Sequence, residues 1–257
     1  MAIQAKMKKA VRLLGTGLAA LLFCALIIVL FVKREKRLNT LDEPLPSPDG
    51  QLSDEEEIRF TVVLDPGHGE PDGGAVGIDT GTPEAGINLS YAKALKQQLE
   101  AMGVSVVLTR EDENAISADK KEDMAARKAI MNGCNADIVV SIHMNKFRDR
   151  SVSGPMAFYI KGDDAGEALA KCVLDGVCEA IDRPLRHVNP GDYFILKHSE
   201  PPAVILECGF LSNSTDEKLL LSEEHMNKMM QGAAKGIMNY LNSTNEDAAD
   251  KADAEDK

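Results

Sequence analysis

The chain has 257 residues, 44% of them hydrophobic, which is enough for one sizeable domain with appendages. Its formal charge is -12, unevenly spread: the first 40 residues carry eight Lys/Arg and one acid, leaving 21 bases against 40 acids beyond them, a net of -19. A domain this acidic, with no basic stripe and no interleaved aromatics, repels phosphates, so nucleic-acid binding is excluded.

In chain order, residues 1–12 form a short basic flank containing Lys6, Lys8, Lys9 and Arg12. Leu13 to Val32 carry no charge over 20 residues, enough to cross a bilayer as a helix. The run is longer than a signal-peptide core and no small-x-small cleavage site precedes Lys33, so it reads as an uncleaved anchor. Bases follow the span as well as precede it, and the positive-inside count by itself barely orients it. Residues 33–59, rich in Pro, Asp, Glu and Ser, read as a flexible linker. Residues 60–242 read as one domain, and 243–257 as a disordered acidic tail without an apolar face.

Strand-like and helix-like segments alternate within the domain. Phe60 to Leu64 is a buried strand. A helix opens at Thr82-Pro83 with Pro in its first position, carries the stripe Leu95, Leu99 and Met102, and ends at Gly103. Val104 to Leu108 is a strand, about Glu122 to Cys134 a helix, and Ala136 to Ile142 a strand. Pro155 to Ile160 is a further strand, followed by a helix from about Ala165 to Ile181. Tyr193 to Leu196 reads as a short strand and Ala203 to Leu206 as a buried one. A last helix runs near Glu223 to Leu241, with Met226, Met230, Ala233 and Ile237 on one face. This order predicts an α/β fold: a single three-layer domain with a mainly parallel twisted sheet flanked by helices, preceded by the N-terminal transmembrane helix. Cys24, Cys134, Cys172, Cys178 and Cys208 have no metal-finger or redox spacing and read as apolar thiols.

The chemistry begins where Val62-Val63-Leu64-Asp65-Pro66-Gly67-His68 ends in a glycine-rich turn. Ile138-Val139-Val140-Ser141-Ile142-His143 repeats the pattern. Two histidines, each just past a buried strand, are placed as two ligands of one metal at the carboxyl edge of an α/β sheet. A catalytic zinc takes three N or O ligands and keeps a position for water. Glu84, in the first turn of the helix after the His68 loop, is the candidate third ligand, although acids favour helix N-termini for dipole reasons alone. Glu70, two residues from His68, is its competitor. His187, His198 and His225 read as surface or hydrogen-bonded histidines. Glu207 follows the apolar run Ala203 to Leu206, where partial desolvation would lift its pKa toward that of a general base; the plain alternative is a salt-bridged strand-end acid.

Taken together, LDPGHGEPDGGAVG (64–77), Glu84, SIHMN (141–145) and PAVILECGFLSN (202–213) resemble the zinc-dependent N-acetylmuramoyl-L-alanine amidases of bacteria, over about Phe60 to Leu241. The resemblance implies one Zn2+ held by His68, Glu84 and His143, with Glu207 as the catalytic carboxylate. The implied reaction is hydrolysis of the amide between N-acetylmuramic acid and L-alanine in peptidoglycan. Within the family, the N-terminal span, short tether and single domain look most like the spore-cortex, germination-specific amidases, which act in muramic-lactam formation and germination. The implied setting is the cytoplasmic membrane, anchored by the N-terminal helix, with the domain outside in the wall or the forespore intermembrane space. Lys146 to Gly154 is too short for the autoinhibitory helix that some relatives insert, so control would come from a partner such as an activator protein. Glu70 departs from the family's usual Gly. Two rivals stand beside this reading. A zinc peptidase acting on stem peptides would want a fixed Arg for a terminal carboxylate, which no motif advertises. A non-catalytic wall-binding protein normally lacks a ligand or the base, whereas all four positions are filled here.

Overall fold

The computed structural model describes residues 60–255, with side chains to residue 245. The basic flank, anchor and linker expected over 1–59 lie outside the described residues. Among the described residues no helix is long and apolar enough to cross a membrane.

The strands are β1 (Phe60–Pro66), β2 (Val104–Leu108), β3 (Ile138–Asn145), β4 (Met156–Tyr159), β5 (Asn189–Pro190) and β6 (Ala203–Phe210). The helices are α1 (Glu84–Glu100), α2 (Lys120–Gly133), α3 (Asp164–Ala180), α4 (Phe194–His198), α5 (Ser214–Leu220) and α6 (Glu223–Glu255). They build one six-stranded sheet in the order β2-β1-β3-β6-β4-β5. β2, β1, β3 and β6 run parallel to one another, which is why their apolar runs are continuous: helices cover both faces. The sheet is nonetheless mixed, because β4 pairs antiparallel with β6 and carries β5 parallel to itself. A parallel return from β3 would need a crossover element. Residues 146–155 contain no helix, so the chain comes back in the opposite direction.

Alternation along the strands divides the core in two. Even-numbered residues such as Val62, Leu64, Val140, Ile142, Val204 and Leu206 pack on one face under α1, α3 and α6. Odd-numbered Val63, Val139, Ala203 and Ile205 pack on the other with Met131 of α2 and Ile195 and Leu196 of α4. On the thick face α3 and α6 touch backbone to backbone, since a Cβ at Gly176 would lie 2.3 Å from the Gly232 carbonyl oxygen. Asp119, Asp163 and Asn213 cap α2, α3 and α5 by accepting backbone N–H groups of the first turns.

Several expectations shift. Tyr193 to Leu196 does not form a strand: α4 buries Ile195 and Leu196 while the Phe194 ring tilts against His198 four residues on, at 4.2 Å. A four-residue apolar run carries no period that separates the two states. Pro83 stands in extended backbone just before α1 rather than in its first turn (ψ 144°). β3 continues through His143 to Asn145, so this histidine lies within a strand, not past its end. α6 does not stop near Leu241 but continues through Glu255, giving residues 243–255 helical backbone in place of a disordered tail. Ala, Glu and Lys extend an already nucleated helix at little cost even without an apolar face.

Candidate metal centre

Parity places the site. Continuing the odd-numbered face past Val139 and Ser141 of β3 reaches His143, and past Ala203 and Ile205 of β6 reaches Glu207; the two are register partners. They emerge on the thin face at the carboxyl edge of the sheet, beyond the last packed residues of that core. Glu84 arrives from the thick face at the N-terminus of α1, whose start lies at the same edge. His68 arrives on the turn after β1, with φ 60°, a left-handed conformation rare for a side-chain-bearing residue.

His68, Glu84 and His143 each bring a ligand-type atom within 4.8 Å of the others. Glu84 Oε2 lies 3.4 Å from His68 Nε2, and Oε1 lies 3.1 Å from His143 Nδ1. The rings stand edge to face with centroids 5.1 Å apart. Tetrahedral zinc with bonds near 2.0–2.1 Å puts neighbouring ligand atoms roughly 3.3 Å apart, so two imidazoles and a carboxylate at these spacings suit such an ion. The cradle leaves no slack: a Cβ at Gly67 would fall 2.1 Å from His143 Cε1, and one at Gly74 2.6 Å from Glu84 Oε2. Glu70 is not brought in. Its backbone pairs with Glu113 and Ala115, and its side chain is exposed beside a separate cleft. His187, His198 and His225 lie apart from the three donors.

Glu84 is almost wholly buried, which raises its pKa, yet the His143 hydrogen bond, the charges of His143 and His68 and the Ala75 amide outweigh burial and bring it to about 2. It is therefore ionised and pre-positioned: Asn88 Nδ2 and the Met144 amide also donate to Oε1, at 3.1 Å each. Glu207 behaves in the opposite way. Burial pushes its carboxyl up to about 7, with His143 opposing and Glu84 reinforcing the rise. Its Oε2 is buried with no hydrogen-bond partner, a polar atom left free beside the three donors.

Residues not singled out by sequence hold this geometry. Asp72 Oδ2 lies 3.1 Å from His68 Nδ1, on the side of the ring away from Glu84, a charge contact without hydrogen-bond geometry. The turn after β1 is held by its carbonyls. Arg110 donates to Pro66, Gly67 and Ala85, Arg127 donates to Pro66 and His68, and Asn88 donates to Gly67. Arg127 is itself locked by Asp65 at 2.8 Å and Asp123 at 2.9 Å, and Asp65 also accepts from Thr109 and Ser141. A signal for this network was present: Arg127 lies between Met124 and Met131 on the core-facing stripe of α2, where a cation requires a buried anion.

The sequence model described as N-acetylmuramoyl-L-alanine amidase matches residues 62–239. The germination-specific N-acetylmuramoyl-L-alanine amidase of Bacillus subtilis (strain 168) is 29% identical over 189 residues, covering 70% of this chain and 79% of that one. Among solved structures, the CwlD amidase from Clostridioides difficile in complex with the GerS lipoprotein superposes with TM-score 0.69 at 35% identity, covering 72% of this chain and 99% of that one. The N-acetylmuramoyl-L-alanine amidase from Clostridium difficile 630 gives TM-score 0.68 at 29% identity, with 73% and 99% covered.

Proposed function

The chain belongs to the N-acetylmuramoyl-L-alanine amidase family, and from that premise we propose that His68, Glu84 and His143 hold one Zn2+ for its amidase reaction while Glu207 moves the proton. The observation that carries this assignment is the buried, ionised Glu84 facing an imidazole with each oxygen, beside the unpartnered Oε2 of Glu207. When bound, zinc supplies a Lewis acid for the lactyl carbonyl and makes a water molecule more acidic. Glu84 contributes a negative charge that needs no deprotonation at neutral pH, and Asp72 sets a second negative charge beside the His68 ring. Glu207, with a pKa near neutrality in the metal-free site, accepts a proton from the attacking water. It then passes that proton to the L-alanine nitrogen as the C–N bond breaks, releasing glycan and stem peptide.

The spore cortex is the substrate within this reading. Similarity to the germination-specific relative and to CwlD supports it. CwlD was solved with a lipoprotein partner, and an activator protein is the corresponding partner for this chain. Residues 13–32 anchor the chain in the cytoplasmic membrane with the catalytic domain outside, where peptidoglycan lies.

Metal analysis and turnover separate the roles. Glu84→Ala should lose bound zinc, whereas Glu70→Ala should keep it. Glu207→Ala should retain zinc yet lose roughly 10²–10⁴-fold in rate, the range for a lost proton-transfer group. Continued release of stem peptides by Glu207→Ala refutes its role. Digestion of cortex and vegetative sacculi by the purified enzyme tests the substrate assignment, and equal rates on both would remove the cortex preference.

A further inference from the structure

Beside the metal centre lies a cleft of about 420 Å³ lined by Val76, Ile78, Lys146, Phe147, Arg148 and Arg150, among others. Its two walls are direct continuations of the backbone that grips Glu84. The Ala75 amide, one residue before Val76, donates to Oε2, and the Met144 amide, two residues before Lys146, donates to Oε1. The cleft is therefore joined to the site through the backbone of both walls, although none of the four site residues lines it.

Its charge is the reverse of its surroundings. Beyond residue 40 acids outnumber bases 40 to 21, yet Lys146-Phe147-Arg148-Asp149-Arg150 sets three cations around one acid. That acid forms no ion pair with them: Asp149 Oδ1 accepts from the Ser151 amide at 2.9 Å and the Ser151 hydroxyl at 2.7 Å, leaving a net positive segment. Among the described residues none of the three cations makes an ion pair. Their backbone is pinned while their side chains remain exposed. The Phe147 amide donates to Ser212 Oγ, and Asn213 Nδ2 donates to the Arg150 carbonyl. Phe147 itself is 56% exposed, an apolar surface beside the charges.

The substrate carries a matching asymmetry. In the scissile amide the muramic carboxyl is consumed, so the glycan side of the bond has no carboxylate there. The nitrogen belongs to the first residue of the stem peptide, whose own carboxyl is taken up in the next amide; free carboxylates lie further along the stem. The substrate's negative charge thus lies with the leaving peptide, beyond its first residue and away from the scissile bond. A second cleft, beside Glu70, Glu113 and Glu223, carries acids and would repel it.

We propose that Lys146, Arg148 and Arg150, with Phe147, form the subsite that binds the carboxylate-bearing stem peptide and sets its polarity across the metal centre. The inference rests on the amidase reading above. Guanidinium groups suit carboxylates because their forked donors match two oxygens. The subsite orients the leaving group without touching the reacting atoms, so it acts through KM and kcat/KM.

The test uses full-length, zinc-loaded enzyme and two defined muropeptides, one with stem carboxylates free and one with them converted to amides. Wild type should cleave the free form with a kcat/KM at least about tenfold higher. Arg148→Gln/Arg150→Gln should lose about tenfold on the free form, through KM, and change less than about twofold on the amidated form. Raising the salt should erode the wild-type preference, since exposed charges are screened. Intact stem peptide should be the product throughout. Wild type cleaving both substrates equally, or the variant losing the same factor on both, overturns the subsite and leaves the amidase intact. Wild type releasing only shortened stems overturns the amidase reading and the subsite with it.

Discussion

Glu207 shows how one residue carries opposite costs and uses. Burial moves its carboxyl from an ordinary 4.5 to about 7. The folded, metal-free domain therefore holds this proton more tightly than the unfolded chain does, and stability falls as pH rises from about 4.5 to about 7. The full penalty, about 3 kcal/mol, is present above pH 7 and absent below pH 4.5. His143, raised by Glu84 and Glu207 against its own burial, adds a loss of the same sign above its ordinary 6.5. Denaturant titrations of chelator-treated protein between pH 4.5 and 6.5 isolate the carboxyl. Wild type should lose stability across that window, and Glu207→Gln should remove most of the slope. An unchanged slope in the variant would mean that Glu207 ionises freely and is not desolvated. Destabilisation of this kind is what a general base near neutrality requires, because the same burial that strains the fold makes the group useful.

Among the elements, α2 has a role larger than its small hydrophobic contribution. Only Met131 and the partly buried Met124 and Cys134 give it apolar contact with the thin face of the sheet. Its fixed point is Arg127, which crosses beneath β1 to Asp65 and donates to the carbonyls of Pro66 and His68. Arg127→Met should destabilise the domain by about 3–5 kcal/mol, because Asp65 and Asp123 are both left as buried charges without their shared cation. It should also weaken zinc binding, since the turn carrying His68 at φ 60° loses a donor. In Asp65→Asn/Arg127→Met the two effects should part: some stability returns because Asp65 no longer holds an unpaired charge, although Asp123 still lacks its cation, while zinc affinity stays low. Zinc titration and denaturation midpoints on the single and double variants check this. Full zinc affinity in Arg127→Met would reduce the network to a purely structural one.

At the scale of the whole molecule, the metal ties both faces of the sheet together. Glu84 belongs to a helix on the thick face, His143 to a strand projecting toward the thin face, and His68 to the turn between β1 and the segment leading to α1. A ligand that binds only this assembled arrangement stabilises the fold by mass action, by about 2.7 kcal/mol at a free concentration 100 times Kd. For a domain of this length that raises Tm by roughly 5–10 °C. Thermal melts of chelator-treated protein with and without Zn2+ should show the shift, and His143→Ala should abolish it. A melting point indifferent to zinc in the wild type would break the link between the three donors and the ion.

The sequence by itself determined a great deal because its strongest signals are local. Continuous apolar runs marked β1, β3 and β6, the turn Pro66-Gly67-His68 marked the edge where chemistry collects, and the motif order pointed to the amidase family. It also named Glu84 over Glu70 as the third donor. Other features required three dimensions. The antiparallel turn at β4 depends on what is missing between β3 and β4, and α4 on which short apolar run finds the thin face. The Asp65–Arg127 lock joins residues 62 positions apart, and the cationic cleft forms only because residues 76–78 fold against 146–150. Local pattern reports which backbone state a segment favours and where a strand must end. Which distant charges share a buried space is decided by packing, and no periodicity records it.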